Sequence, residues 1–352
     1  MPELVVPGRS GTEQKISFPD DAAILRFDGE NWKVPQSLPE GISVYEKEKA
    51  QGVGEAKELP LGALTASMTG QPVKNDVLMI EVTAEVAAPL YFDFDERAAE
   101  LAFTRLAIVV RSGCSISTVE RYAGSAGFSS VLLEFGLQDG ASVDRTIVQR
   151  GTKDQAVGVT TTATLEKGAS FEQTALGFGA KVSRVETHVD FAGTDASATI
   201  NSAYLVGDGY HMDFTSHVRH GAESCTTRQL TKGAVAKGGR GVFQGKFLVP
   251  RTVGQFTDAN MQHQALLLES GAEVFAKPEL EIYADDVECE HGNTSGQLDE
   301  AALFYMRQRG IPANQARALL IEAFVIEALE GAHPSVRESM IEAARAFLRQ
   351  QG

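Results

Sequence analysis

Gly113-Cys114-Ser115, Gly140-Ala141-Ser142, Gly168-Ala169-Ser170 and Asp195-Ala196-Ser197 repeat one small-residue pattern at a nearly constant distance. Gly221-Ala222-Glu223 and Gly271-Ala272-Glu273 extend it, and Gly245-Lys246 fills the gap between them. Successive offsets are 27, 28, 27, 26, 24 and 26 residues. A period of about 20–50 residues marks a solenoid, whose units are too thin to bury their own apolar faces and must stack into one core. Between the glycines lie strand-like segments, for example Thr146-Ile147-Val148-Gln149, Ala175-Leu176-Gly177-Phe178 and Ala203-Tyr204-Leu205-Val206. Gly supplies 34 of 352 residues, so a loose period alone carries little weight; the shared Gly-Ala-Ser or Gly-Ala-Glu context carries more. The pattern predicts a mainly β fold, a parallel β-helix with glycine at corners needing positive φ or close backbone approach.

Working outward, this β texture spans residues 76–296, beginning with the β-branched runs at Val77-Leu78-Met79-Ile80-Glu81-Val82 and Arg105 to Val110. Residues 1–75 read as an irregular N-terminal region broken by Pro19, Pro35, Pro39 and Pro60, in which Ile24-Leu25-Arg26-Phe27 suggests a strand of a small cap. Residues 297–352 read as a helical domain. Its first helix has Leu303 and Met306 at helical spacing and stops at Gly310; Pro312 opens a second, with Ala316, Leu319, Leu320, Ala323 and Phe324 as its apolar face. A third, after Gly331 and Pro334, aligns Ile341, Ala344 and Leu348. Ile321 and Val325 widen the apolar surface of the second helix, which leaves two readings open: a surface for a partner, or packing of the helices on themselves and on the last β coil.

Acidic residues outnumber basic ones 47 to 32, a formal charge of −15, which argues against nucleic-acid binding and against docking on an anionic membrane. Three dispersed cysteines, Cys114, Cys225 and Cys289, make no disulfide framework and fit a reducing compartment. MPELVVPGRS shows no secretory signal, and no apolar run of about 18 residues occurs, so a cytoplasmic location is expected.

Three stretches carry candidate chemistry. Gly239-Arg240-Gly241-Val242-Phe243-Gln244-Gly245-Lys246 resembles a phosphate loop superficially, but three residues separate Gly241 from Gly245, Phe247 follows the lysine, and a strand rather than a helix continues. A solenoid corner, and no nucleotide site, is expected there. His211, His217, His220 and Cys225 lie within 15 residues but match no strong metal spacing, so structural roles are favoured. In Cys289-Glu290-His291 the thiol and imidazole are two apart, so on a strand they share a face with Glu290 opposite. Such a pair can donate soft and borderline ligands to iron or an iron–sulfur fragment; the plainer reading is a buried Cys and a hydrogen-bonded His.

Leu280-Glu281-Ile282-Tyr283-Ala284-Asp285-Asp286-Val287-Glu288-Cys289-Glu290-His291-Gly292, followed by Gly296-Gln297-Leu298-Asp299-Glu300, Leu303-Phe304-Tyr305 and Arg307-Gln308-Arg309-Gly310-Ile311, resembles the SufB/SufD family of iron–sulfur cluster assembly proteins. Arg240 to Lys246 and His211-Met212-Asp213 through Cys225 are similar to further family stretches. The resemblance covers roughly residues 75–330, and the His-Gly after the cysteine resembles the SufD branch. It implies a right-handed parallel β-helix core and a C-terminal helical domain. It also implies a non-catalytic scaffold subunit that pairs with SufB through the core and binds the ATPase SufC through the helices. A homodimer in isolation is allowed. By position, His291 matches the histidine that helps hold a transient cluster at the SufB–SufD interface, as a candidate metal ligand; Cys289 is a second candidate cluster ligand. Glu290 departs from the small residue common there, and an N-terminal helical segment of the family reads as reduced. Alternatives are a SufB-like scaffold subunit, against which His291-Gly292 speaks, and a β-helix polysaccharide hydrolase or lyase, against which the lack of a secretory signal speaks.

Overall fold

The computed structural model describes residues 17–48, 76–95, 101–124 and 127–350. The stretch 49–75, part of the region expected to be irregular, lies outside them, as does the N-terminal decapeptide.

Two sheets run the length of the molecule. The first holds β1 (Ile24–Phe27), β2 (Trp32–Lys33), β5 (Leu90–Asp95), β7 (Ser115–Ala123), β9 (Ser142–Arg150) and β11 (Ser170–Gly177), then β13 (Ser197–Val206), β15 (Thr226–Val235), β17 (Asp258–Leu267) and β19 (Glu288–Gly296). The second holds β3 (Ile42–Glu48), β4 (Asp76–Val82), β6 (Leu101–Val110), β8 (Gly127–Leu137), β10 (Gln155–Leu165) and β12 (Val182–Phe191), then β14 (His211–Arg219), β16 (Arg240–Val249) and β18 (Glu273–Ile282). From β4 onward the chain alternates between sheets, and each strand pairs in parallel with the strand two later. This is a parallel β-helix of two strands per coil, as expected. Alternation sends every second side chain inward, where Phe171, Phe191, Phe243, Phe247 and Tyr204 are fully buried. Ile24–Phe27 does form a strand, and it extends the first sheet by pairing in parallel with β5.

The corners correct the phase of the repeat. Before the first-sheet strands the backbone turns left-handed at Gly113, Gly140, Gly168, Asp195, Ser224, Phe256 and Asp286, with φ between 55° and 67°. The later members are therefore Ser224, Phe256 and Asp286, rather than Gly221, Gly245 and Gly271. Each of these N–H groups from Gly113 to Phe256 donates to the next coil, as in Gly113 N to Asp139 O at 2.9 Å and Gly168 N to Thr194 O at 2.8 Å. That bond holds a left-handed turn even without glycine, so the sequence signal fades while the geometry persists. Gly271 belongs to a second corner column with Gly209 and Gly238. Gly245 lies inside β16, where a Cβ would meet Met261 Sδ at 2.4 Å. The segment expected to be a corner is thus strand from Arg240 onward, its corner lying just before it at Gly238.

The interior also holds a polar lattice. Arg145 and Glu120, both wholly inaccessible, form a two-point ion pair with bonds of 2.7 and 2.6 Å. The same guanidinium reaches Thr161 Oγ1 and Gln173 Oε1, and Tyr122 donates to Glu120. These bonds tie β7, β9, β10 and β11 into one register.

The helices are α1 (Glu300–Gln308), α2 (Ala313–Ile326) and α3 (Pro334–Gln350), with a 3-10 turn at Glu327–Leu329. α2, the 3-10 turn and α3 lie across the outer face of the first sheet. There Val148, Leu176, Ala203, Leu205 and Ala234 meet Ile321, Val325, Leu329, Val336, Met340 and Phe347 in a second core. The helical segment therefore covers many coils rather than only the last. On α2 the buried residues are Ala316, Ile321 and Val325, while Leu319 is 47% exposed. The strip read as secondary is the packing face, because the sheet selects which side of a broadly apolar helix is covered.

Two measurements test this architecture. Glu120→Ala leaves a buried guanidinium unpaired and is expected to cost about 3–5 kcal/mol in denaturant unfolding; a loss under about 1 kcal/mol would contradict the lattice. His220 is inaccessible, packed between Phe191 and Phe247, and burial lowers its pKa from the ordinary 6.5 to about 4. The folded state thus resists its protonation. Its contribution is complete above pH 6.5 and lost as pH falls towards about 4. Asp144, pushed up to about 6 by burial and then by Glu172, acts in the opposite sense. The stability difference between wild type and His220→Gln should accordingly shrink across that window; a constant difference would refute the assignment.

Candidate functional site

At the C-terminal end of the stack, β18 and β19 are the outermost strands of their sheets. β19 pairs in register with β17, so Cys289, His291 and Asn293 stand beside Ala259, Met261 and His263. Those three β17 residues are buried and face inward. Cys289 and His291 therefore look into the open mouth of the β-helix, their Cα atoms about 6.6 Å apart along the strand. Glu290 faces the other way and accepts a hydrogen bond from Asn260. The alternation read from the sequence matches this placement.

The two side chains differ in exposure. Cys289 is half-buried against the end of the main core, while His291 is exposed. Burial pushes the Cys289 thiol up, a backbone hydrogen bond at Ala259 offsets part of this, and Asp258 adds a smaller upward push. A Cβ at Gly292 would meet only the amide end of the half-buried Gln262 side chain, which would have to turn aside. Behind the mouth, His263 joins two coils: its Nδ1 lies 2.7 Å from Asn293 Oδ1 and its Nε2 lies 2.9 Å from Tyr204 Oη.

The other histidine stretch does not converge. His211 and His217 share the outer face of β14, about 20 Å apart. His220 is inside, 3.1 Å from Thr227 Oγ1, and Cys225 is buried with its thiol 3.4 Å from the carbonyls of Gly193 and Glu223. His188, one coil before His217, was not singled out from the sequence, yet their rings lie 5.7 Å apart. His263 and Asn293 were missed in the same way. The usable signal is a separation of one coil, 29 or 30 residues, which becomes informative only once the register is known. Lys246, in the segment resembling a phosphate loop, is paired with Glu281 at 2.7 Å.

Among the described residues no three His, Cys, Asp or Glu side chains are placed to hold a metal ion. Cys289 and His291 supply two donors at an open edge. A complete coordination sphere there needs donors from outside these residues.

Residues 93–324 match the family model described as SUF system FeS cluster assembly, SufBD core domain. The chain is 38% identical over 152 residues to the iron–sulfur cluster assembly protein SufD of Escherichia coli, covering 43% of this chain and 36% of that protein. It is 31% identical over 285 residues to a SufBD family protein of Synechocystis, covering 76% and 61% respectively. To the chloroplastic protein ABCI7 of Arabidopsis thaliana it is 29% identical over 317 residues, covering 84% and 66%. The chain thus spans from about a third to just under two thirds of these relatives' lengths. No described helix is long and apolar enough to cross a membrane.

The half-buried thiol sets a chemical test. With its pKa raised, Cys289 carries less thiolate at pH 7.5 than a free cysteine, and iodoacetamide should label it several-fold more slowly, faster as pH rises. Cys225 should react only after unfolding. Labelling of Cys289 at the free-cysteine rate would contradict its placement.

Proposed function

The chain belongs to the SufB/SufD family of SUF-system iron–sulfur cluster assembly proteins, and on that premise we propose that it is a SufD-type scaffold subunit without turnover of its own. It pairs with SufB through the open end of the β-helix and carries the ATPase SufC on its helical segment, in the cytoplasm. The observation that carries this reading is His291, exposed on the terminal strand beside half-buried Cys289, with Gly292 fitted under Gln262. The iron–sulfur cluster is the cargo. The His291 imidazole at the rim offers a ring nitrogen to iron, whereas the Cys289 thiol must first ionise against its raised pKa. His291 is therefore the leading ligand, Cys289 the second, and SufB supplies the facing donors. The family's nucleotide chemistry is assigned to SufC.

The helical segment supplies the second half. On α1, Phe304 is 62% and Tyr305 59% exposed, and on α2 Leu319 is 47% exposed. This apolar strip is the SufC surface in this reading. Behind it, Lys232 on β15 pairs with Glu327 and lies over the Phe324 ring, and Arg317 donates to the carbonyl of Leu268, just past β17. A pull on the helices by nucleotide-bound SufC therefore acts on the two strands that precede β19 in the sheet, and so on the mouth where His291 stands.

Two experiments test these assignments. In cluster reconstitution with SufB and SufC, His291→Ala should lower the rate at least about tenfold; an unchanged rate removes His291 from the mechanism. Phe304→Ala with Tyr305→Ala should weaken SufC capture about tenfold or more with the melting temperature preserved; undiminished capture refutes the surface. Point changes are the right tool, because deleting 297–352 would also strip the cover from Val148, Leu176 and Leu205.

A further inference from the structure

The helical cover lies on the first sheet. On the second sheet, β12, β14, β16 and β18 pair in parallel and in register, so their outward side chains form rows with one member from each coil. One row reads His188, His217, Lys246 and Glu279; the row two residues earlier reads Glu186, Thr215, Gln244 and Lys277. A cleft of about 230 Å³ opens over these two rows.

His188 and His217 stand directly opposite each other on adjacent coils, with ring centres 5.7 Å apart and ring planes at 83°. Metal–nitrogen bonds of about 2.0–2.1 Å put the centres of two imidazoles on one ion about 4.5–6.4 Å apart. The observed spacing lies inside that range, so side-chain torsion alone lets the pair close on an ion. Both rings are half-buried and open to solvent on one side. Their nitrogens are largely uncommitted. His188 spends Nε2 on Glu186 Oε1 at 2.7 Å; its Nδ1 and both nitrogens of His217 have no hydrogen-bond partner among the described residues. Glu186 is itself buried and held by Arg184 at 3.0 Å. A carboxylate behind a histidine is the usual outer partner of a metal-bound imidazole, because it fixes the ring and strengthens it as a donor. Burial, helped by His188 and Lys246, lowers the His217 pKa from the ordinary 6.5, so near neutrality that ring presents a lone pair rather than a positive charge. This favours a cation over an anion as the occupant. The nearest cation in the row, Lys246, is drawn to Glu281 at 2.7 Å, and Arg219 beyond it to Asp190 at 2.7 Å.

We propose that His188 and His217 form a binding site for a first-row divalent metal ion of the kind imidazole favours, with Glu186 as the positioning residue behind His188. Two protein nitrogens hold the ion and water fills the remaining positions, since no third His, Cys, Asp or Glu among the described residues closes the sphere. The ion is therefore exchangeable rather than structural. The site lies on the sheet opposite to Cys289 and His291 and stands independently of the reading of the chain as a partner of SufB.

Isothermal titration of the untagged full chain with nickel chloride near neutral pH tests this. The expected result is a single site whose affinity falls at least about tenfold in His188→Ala, in His217→Ala and in Glu186→Gln, with the melting temperature preserved, and is unchanged in His291→Ala. A wild-type chain that takes up no nickel at about 1 mM overturns the proposal, and this arm needs no variant to fold. Unchanged affinity in either His188→Ala or His217→Ala overturns it as well. Loss of binding in His291→Ala instead places the ion at the mouth of the β-helix and overturns the site. Unchanged affinity in Glu186→Gln alone overturns the positioning role.

Discussion

One coil of this chain, two strands joined by two corners, cannot bury its own inner face, and every other feature follows from the need for a coil above and a coil below. Inward side chains such as Phe171, Tyr204 and Phe243 are covered only because neighbouring coils stack in register. The corner N–H groups bond to the next coil in the same way, so backbone satisfaction also depends on the neighbour. The last coil has no such neighbour. β18 and β19 are consequently the place where edge hydrogen-bonding groups, half-covered apolar side chains and a pair of metal-capable donors occur together. The site is what remains when the stacking rule stops.

Register in such a stack needs fixing, because a parallel sheet with similar coils can slip. Two devices fix it here. The Arg145–Glu120 pair with Gln173 and Thr161 spans both sheets, and any slip would leave a buried charge unpaired. The helices add a lateral brace, with Tyr91 bonded to Ser335 and the His333 N–H donating to Thr146 across the sheet-to-helix seam. That brace fixes the start of α3 to β5 and β9. It makes the helices part of the β-helix's packing rather than an appendage.

The physics of the terminal coil also ties chemistry to assembly. Packing on the core pushes the Cys289 thiol up, while His291 is exposed at the rim. In the reading proposed above, a ligand set completed only across an interface makes cluster holding depend on pairing. A monomer with a complete metal site would lack this dependence; the described residues contain none.

Much was legible in the residues themselves. The Gly113, Gly140 and Gly168 corners announced the period, and the i, i+2 spacing of Cys289 and His291 placed both on one face with Glu290 opposite, because strand alternation is a local property of the backbone. The corners at Ser224 and Phe256 were not legible, since there a hydrogen bond donated to the next coil, not glycine, holds the left-handed turn. Nor was the packing face of α2, where a helix apolar on several sides is oriented only by the sheet it meets. The pairs His188 with His217 and His263 with Asn293 were hidden as well, being neighbours only through a coil offset. Sequence alone determined period, strand alternation, charge and donor chemistry, because these reside in single residues and their near neighbours; the tertiary structure decided register, which face is covered and which end stays open, because these depend on contacts between residues far apart in the chain.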